Sequence, residues 1–333
     1  MTGVAVIGGG IIGLSIAWRL RRKGIKVTVY DGGDDDAAWY AAAGMLAPAG
    51  ETSFGQEALT ELLLESSRRW PAFAAELAQE SGLDLGYDAT GALTVALTSD
   101  DLSVAQHEWR GAAGRVPSEL RDLEPALTPR IRGGAFVPGD HQVDPRRVVA
   151  ALRTLVDIRA GKVSELPPGK VVVAAGLGTA ALTGLPVRPV KGLVLRLRGE
   201  PGLLRHVING YVDGRHVYLV PRADGEIVVG ATQEERGDFT VTAGAVLELL
   251  RSAVDLVPDL AECELTETVV RHRPSTPDNA PLLGELRPGV VVAAGHHRNG
   301  ILLAPVTADL IAELVATGRA DPLLAPFPPG RFA

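Results

Sequence analysis

The chain has 333 residues, 46% of them apolar, with 40 acidic against 33 basic side chains for a net charge of −7. The length suits about two domains, and a charge spread along the chain excludes a basic face for nucleic acid or an anionic membrane. One cysteine, Cys263, excludes an internal disulfide framework. With no secretory leader at Met1 and no apolar run able to span a bilayer, a soluble cytoplasmic protein is expected.

Val4 to Ile7 is wholly apolar, as a strand buried on both faces should be. It runs into Gly8-Gly9-Gly10-Ile11-Ile12-Gly13, which satisfies G-x-G-x-x-G at Gly8, Gly10 and Gly13. A helical period follows from Leu14 to Lys23, Gly24 stops it, and Ile25 to Val29 reads as a second strand with Asp31 just past its end. Gly8 permits the tight turn, Gly10 lets a diphosphate approach the backbone, and Gly13 lets helix and strand pack closely. The helix start offers free N–H groups to phosphates, and Asp31 is placed to accept from a ribose hydroxyl. The motif alone does not separate FAD from NAD. A looser match at Gly176 to Ala181 reads as a false positive, because Gly184 and Pro186 cut off its helix and no acid follows at the right distance.

Further along, Glu57 to Ser81 has a helical pattern with a break expected at Pro71, and Gly91 to Thr98 alternates like a strand. Asp144-Pro145 starts a helix whose inner face carries Val148, Val149, Leu152 and Leu155. Val187 to Thr232 reads as several strands with turns at Asp213-Gly214 and Asp224-Gly225. Ala245 to Val257 is an amphipathic helix and Leu265 to His272 another strand. The tract from Asp31 to Asp36 is read as a solvated surface turn, since its spacing matches no calcium loop. At Val290 to Ala294 a buried strand meets Gly295, His296, His297, Arg298 and Asn299, after which a helix is expected from about Asn299. Adjacent histidines point apart, so no metal site is expected there.

Four stretches carry a resemblance: the glycine fingerprint, Ala41 to Pro48 (AAAGMLAP), Arg273 to Asp278 (RPSTPD) and Gly295 to Pro305 (GHHRNGILLAP). Together they resemble the FAD-dependent D-amino-acid oxidase superfamily, and within it the glycine oxidases of thiamine biosynthesis. The resemblance implies a Rossmann-like FAD-binding domain (1–84, 135–190 and 268–333) interleaved with a strand-rich α+β substrate domain (85–134 and 191–267). It implies that Arg273 and Arg298 hold a substrate carboxylate and that Tyr218 hydrogen-bonds it. A guanidinium matches a carboxylate in a bidentate fork, which supports that assignment. The other reading of Arg298 is an ion pair tying the two domains.

The same resemblance places Gly8, Gly10, Ile11, Ile12, Gly13 and Asp31 on the cofactor's diphosphate and ribose. Backbone from His296 and His297 through Arg298, Asn299, Gly300 and Ile301 to Leu302 would lie against the flavin, with Ala43, Gly44 and Met45 on its other side and Val163 touching the cofactor. The family usually has a serine or threonine just before the AAAGM segment; this chain has Trp39 and Tyr40. Noncovalent FAD, a small amino-acid substrate, O2 as oxidant and no metal are implied. Thiazole synthase is a candidate partner, and a homo-oligomer is the expected state. A D-amino-acid or sarcosine oxidase of the same fold, or a flavin dehydrogenase with another acceptor, is the alternative.

Overall fold

The computed structural model describes residues 3–33, 36–48, 50, 55–108 and 114–332. In chain order the elements are β1 (Val4–Ile7), α1 (Ile11–Arg22), β2 (Val27–Asp31), β3 (Met45–Leu46), α2 (Glu57–Ser81), β4 (Ala92–Ala96), α3 (Ser99–Glu108), β5 (Gly114–Arg115), α4 (Pro117–Leu123), β6 (Gly133–Val137), β7 (His141–Gln142) and α5 (Pro145–Thr154). They continue as β8 (Ile158–Ala160), β9 (Lys170–Val173), α6 (Thr179–Thr183), β10 (Arg188–Arg198), β11 (Val207–Val212), β12 (Arg215–Pro221), β13 (Glu226–Gly230), α7 (Ala243–Leu256), β14 (Glu264–Ser275), β15 (Leu282–Arg287), β16 (Val290–Ala294) and α8 (Ala304–Thr317).

A six-stranded sheet has the order β15-β16-β9-β1-β2-β8. Its strands from β16 to β8 run parallel, and β15 returns antiparallel against β16. Parallel strands are covered on both faces, which is why Val4, Val6 and Ile7 are buried and Ala5 half-buried. Helices α1, α2, α5 and α8 cover one face, where Phe73 meets Trp18 (5.1 Å between ring centroids) and Trp70 (5.2 Å) edge to face. Asp144 caps α5 by accepting from Arg146 N (2.8 Å), with Pro145 in the first turn, as the sequence predicts.

The second sheet has eight strands in the order β14-β10-β13-β12-β11-β4-β6-β5. Alternate residues of β10 divide its two faces. Leu193, Leu195 and Leu197 pack with Leu249, Ala253 and Leu256 of α7, while Val194 faces Ala43, Val220 and Val228 on the other side. The turns at Asp213-Gly214 and Asp224-Gly225 lie where expected, with positive φ at Asp213 (50°), Gly214 (77°) and Gly225 (88°). Strand β14 pairs with β10 along its whole length, so residues 268–275 continue this second sheet.

Three local expectations are corrected. Helix α2 runs unbroken through Pro71, which is exposed, while the buried Trp70 and Phe73 hold the helix to the core. Strand β4 is buried at every residue rather than on alternate ones, since it lies inside the sheet with apolar clusters on both faces. Helix α8 begins at Ala304, not near Asn299; residues 297–299 form a single 3-10 turn first. No helix among the described residues is long and apolar enough to cross a membrane.

Phe73 is the aromatic shared by two helices, so Phe73→Ala should destabilise the protein by about 3–5 kcal/mol in urea unfolding at fixed FAD concentration. A loss below about 1 kcal/mol would show that the aromatic cluster is not what holds α2 to α1.

Candidate active site

The carboxyl ends of β1, β2, β9 and β16 lie side by side, and the chain leaving each one turns over a cavity of about 1420 Å³. Ligands of open parallel sheets bind at this edge. A Cβ at Gly8 (φ 125°) would collide with the Ala174 carbonyl, and one at Gly13 with the Gly8 carbonyl, so both glycines are required by close packing. Gly10 differs. Among the described residues, nothing within 4 Å would meet a Cβ there except Trp39 Cδ1 at 3.6 Å, so the space above it is open to a ligand. Helix α1 has no side-chain cap and no acidic residue in its first turn, which leaves its N–H groups for an anion.

Asp31 closes this end. Its carboxyl lies against Gly9, takes an ion pair from Arg153 Nη1 (2.6 Å) and accepts from Gly33 N (3.1 Å). Burial acts to raise its pKa, and the bonds from Arg153 and Gly33 outweigh that, so it lies below the ordinary carboxylate value. Asp34 and Asp35 lie outside the described residues. Asp36 is no solvated turn residue: Oδ1 accepts from His272 N (3.0 Å) and Oδ2 pairs with His272 Nδ1 (2.8 Å).

The far wall comes from the second sheet. Arg273 of β14 and Tyr218 of β12 face the cavity, joined by Arg298 from the 3-10 turn after β16. The guanidinium of Arg273 lies over Gly192, where a Cβ would stand 2.6 Å from Nη1, and Nη1 donates to the carbonyls of Thr232 (3.2 Å) and Lys191 (3.3 Å). The Tyr218 ring lies on Gly230, its cross-strand partner. Arg298 is exposed to the cavity. Arg222, immediately after β12, donates to Gln142 Oε1 (2.7 Å) and the Ala43 carbonyl, and thereby ties the Ala43–Met45 segment to the end of that strand.

The histidines are held neutral. Burial first, then the positive charges of Arg273, Arg298 and Arg188, push the His297 imidazole down to about 3. His216, open to the cavity yet enclosed by protein, is brought down to about 4 by burial and then by Arg298. His296 falls to about 3 through burial alone. His297 (φ 50°) shares a 2.6 Å hydrogen bond with Ser275 Oγ, and His296 Nε2 lies 3.2 Å from Thr307 Oγ1 on α8. The Leu302 carbonyl accepts from Ser66 Oγ (2.6 Å) and Trp70 Nε1 (3.0 Å), so α2 pins the end of this turn.

Every residue singled out from the sequence lines this one cavity except Gly13, which sits behind the turn: Gly8, Gly10, Ile11, Ile12, Asp31, Ala43, Gly44, Met45, Val163, Tyr218, Arg273 and His296 through Leu302. The segment from Gly176 reads in the sequence as a false match to a second dinucleotide motif. Its helix is indeed five residues long, yet Gly176, Leu177, Gly178, Ala181 and Leu182 form part of the same wall. His216, Gln233, Phe239, Arg271 and His272 also line it, and no local pattern marks them.

A family model described as FAD dependent oxidoreductase matches residues 3–314. The chain belongs to that family. It is 35% identical to the glycine oxidase of Geobacillus kaustophilus over 366 residues, 97% of this chain and 95% of that protein. The solved structure of glycine oxidase from Geobacillus kaustophilus matches with a TM-score of 0.87 at 32% identity, covering 99% of this chain and 98% of that one. A bifunctional ThiO/ThiG protein of Trichormus variabilis is 35% identical over 359 residues, 99% of this chain but 55% of that protein, so the chain spans about half the length of such relatives.

FAD is the family's cofactor, and the residues present suit it. The open space over Gly10 and the uncapped α1 suit a diphosphate, the ionised Asp31 suits ribose hydroxyls, and Ala43–Met45 opposite the backbone of residues 296–302 suits a flat ring. The histidine shifts set a pH dependence. A folded value of about 3 for His297 against the ordinary 6.5 means that the folded state binds fewer protons between those limits. Stability is therefore full above pH 6.5 and is lost progressively as pH falls from there toward 3. His297→Asn, which tolerates positive φ and can still bond Ser275, should shift the acid-unfolding midpoint to lower pH; an unchanged midpoint would assign the acid lability elsewhere.

Proposed function

We propose that this chain oxidises glycine, and small amines or D-amino acids like it, with FAD and O2 to an imine that hydrolyses to the oxo acid and ammonia. One observation carries the reading: Arg273, Arg298 and Tyr218, from three separate elements, border the same cavity as the glycine turn. The glycine oxidases among its relatives support the choice of substrate.

In this reading the two guanidinium groups take the substrate carboxylate, and the Tyr218 hydroxyl donates to the same group. Arg273 arrives with Nη1 already directed by two carbonyls, so little side-chain freedom is lost on binding. The neutral His216 and His297 add no further cation that would repel the substrate amine. The positive field of the guanidinium groups lowers the pKa of a bound ammonium and favours the free amine that oxidation requires. The chemistry supplied by bound FAD is acceptance of a hydride from the α-carbon and return of its two electrons to O2 as hydrogen peroxide. No separate general base is needed once the amine is neutral.

The cofactor is held without a covalent bond in this proposal; Cys263, the one cysteine, is not among the cavity-lining residues. The roles of the residues from Gly8 to Leu302 belong to the same proposal, as does the division into a cofactor domain (1–84, 135–190, 268–333) and a substrate domain (85–134, 191–267), with residues 135–137, 188–190 and 268–275 of the former supplying strand residues to the second sheet. The bifunctional ThiO/ThiG relatives support a partner that consumes the product, which we take to be thiazole synthase. A cytoplasmic homo-oligomer completes the reading.

Arg273→Ala and Arg298→Ala should each purify yellow with FAD bound and bind glycine about 100-fold more weakly in anaerobic flavin-bleaching titrations, the scale of losing one partner of a desolvated ion pair. Wild-type affinity in either variant would remove that arginine from the carboxylate site. Heat-denatured wild-type protein should release free FAD; a pigment that stays with the polypeptide would contradict noncovalent attachment.

A further inference from the structure

Between Asp36 and Gly44 the chain carries no serine or threonine, although this stretch passes beside Gly10, where the cofactor diphosphate must approach the backbone. Trp39 stands there instead, in the 3-10 turn Ala38–Tyr40, half-buried and lining the cavity. Among the described residues, its Cδ1 is the one atom found within 4 Å of the Cβ position of Gly10. Nε1 is bonded to Cδ1, so the indole N–H lies one bond from the Trp39 atom nearest the glycine turn. No bond from that N–H to another described residue accompanies it.

The turn is held in place by its neighbour. Tyr40 packs edge to face on Trp39 (centroids 5.9 Å apart) with the Arg146 guanidinium over its ring at 3.7 Å and that of Arg271 at 5.2 Å. Arg146 Nε also donates to the Tyr40 carbonyl (3.0 Å), while Nη2 bonds Glu267 (2.8 Å) and its own backbone N bonds the capping Asp144 (2.8 Å). Ring and carbonyl of Tyr40 are thus both fixed from α5, which leaves Trp39 turned toward the cavity. An indole is a donor only, and an uncapped helix start beside an open glycine suits an anion.

We infer that Trp39 donates its indole N–H to a phosphate oxygen of bound FAD, in the place where a hydroxyl side chain would otherwise serve. The inference rests on FAD occupying this cavity, and the test separates the two. Apoprotein is titrated with FAD and with riboflavin, which lacks the diphosphate, by quenching of flavin fluorescence. Trp39→Phe keeps a ring in place and removes the donor. It should weaken FAD binding by about tenfold or more, the weight of a hydrogen bond to a charged acceptor, and leave riboflavin binding within about twofold. Equal FAD affinity in both proteins, or equal loss for both ligands, would overturn the inference while leaving the FAD site standing. Failure of wild-type apoprotein to bind FAD would end both. Should the variant not fold, the indole N–H resonance of Trp39 in wild-type protein, assigned by triple resonance, decides: it should move on adding FAD and not riboflavin, and an unmoved resonance with FAD counts against the donor role.

Discussion

A guanidinium group taken out of bulk water needs acceptors from the protein or an anion from outside, and the architecture between the two sheets is arranged around that need. Arg273 reaches the cavity because Gly192 leaves room beside it, and the carbonyls of Lys191 in β10 and Thr232 just beyond β13 meet one end of its fork. Arg298 arrives from the other sheet on a tight turn and opens to the same space. Beside them, His216 and His297 are pressed into the neutral form by burial and by those same charges. The positive potential left over is concentrated in a low-dielectric cleft, where it favours a small anion.

Precision at such a site depends on the backbone that carries the charges, and that backbone is tied from several directions. Ser275 at the end of β14 bonds His297, joining the strand of Arg273 to the turn of Arg298. The far end of that turn is held at the Leu302 carbonyl by two donors from α2. Arg222 fastens Ala43 to β12, so the opposite wall moves with the strand that carries Tyr218. These bonds link first sheet, second sheet and helical layer around one cavity. Substitutions in the helical layer are thereby coupled to the site through α2 without touching a ligand.

Much of the first sheet was legible because its information is local. A wholly apolar run, a glycine turn, a helical period and an acid occur in unbroken order from Val4 to Asp31, and each constrains its own few residues. The start of α5 at Asp144 was equally plain, since a cap acts within one turn. Errors came where a neighbour overrides the local rule. Pro71 forbids one hydrogen bond, but the packing of Trp70 and Phe73 on either side keeps α2 whole. Asn299 begins a polar-to-apolar change that reads as a helix start, yet the 3-10 turn there is shaped by contacts to Ser275 and α2.

The sequence by itself determined the nucleotide turn, the elements that flank it, and the chemical types able to meet a carboxylate, because those depend on residues close together along the chain. Only the tertiary structure decided that Arg273, Arg298 and Tyr218 share a cavity, that the Gly176 segment walls it, and that Trp39 rather than a hydroxyl overlooks Gly10. The physical reason is distance along the chain. Groups on β12, β14 and the turn after β16 meet through sheet register and burial, which are set by the packing of the whole molecule and leave no mark at any single residue.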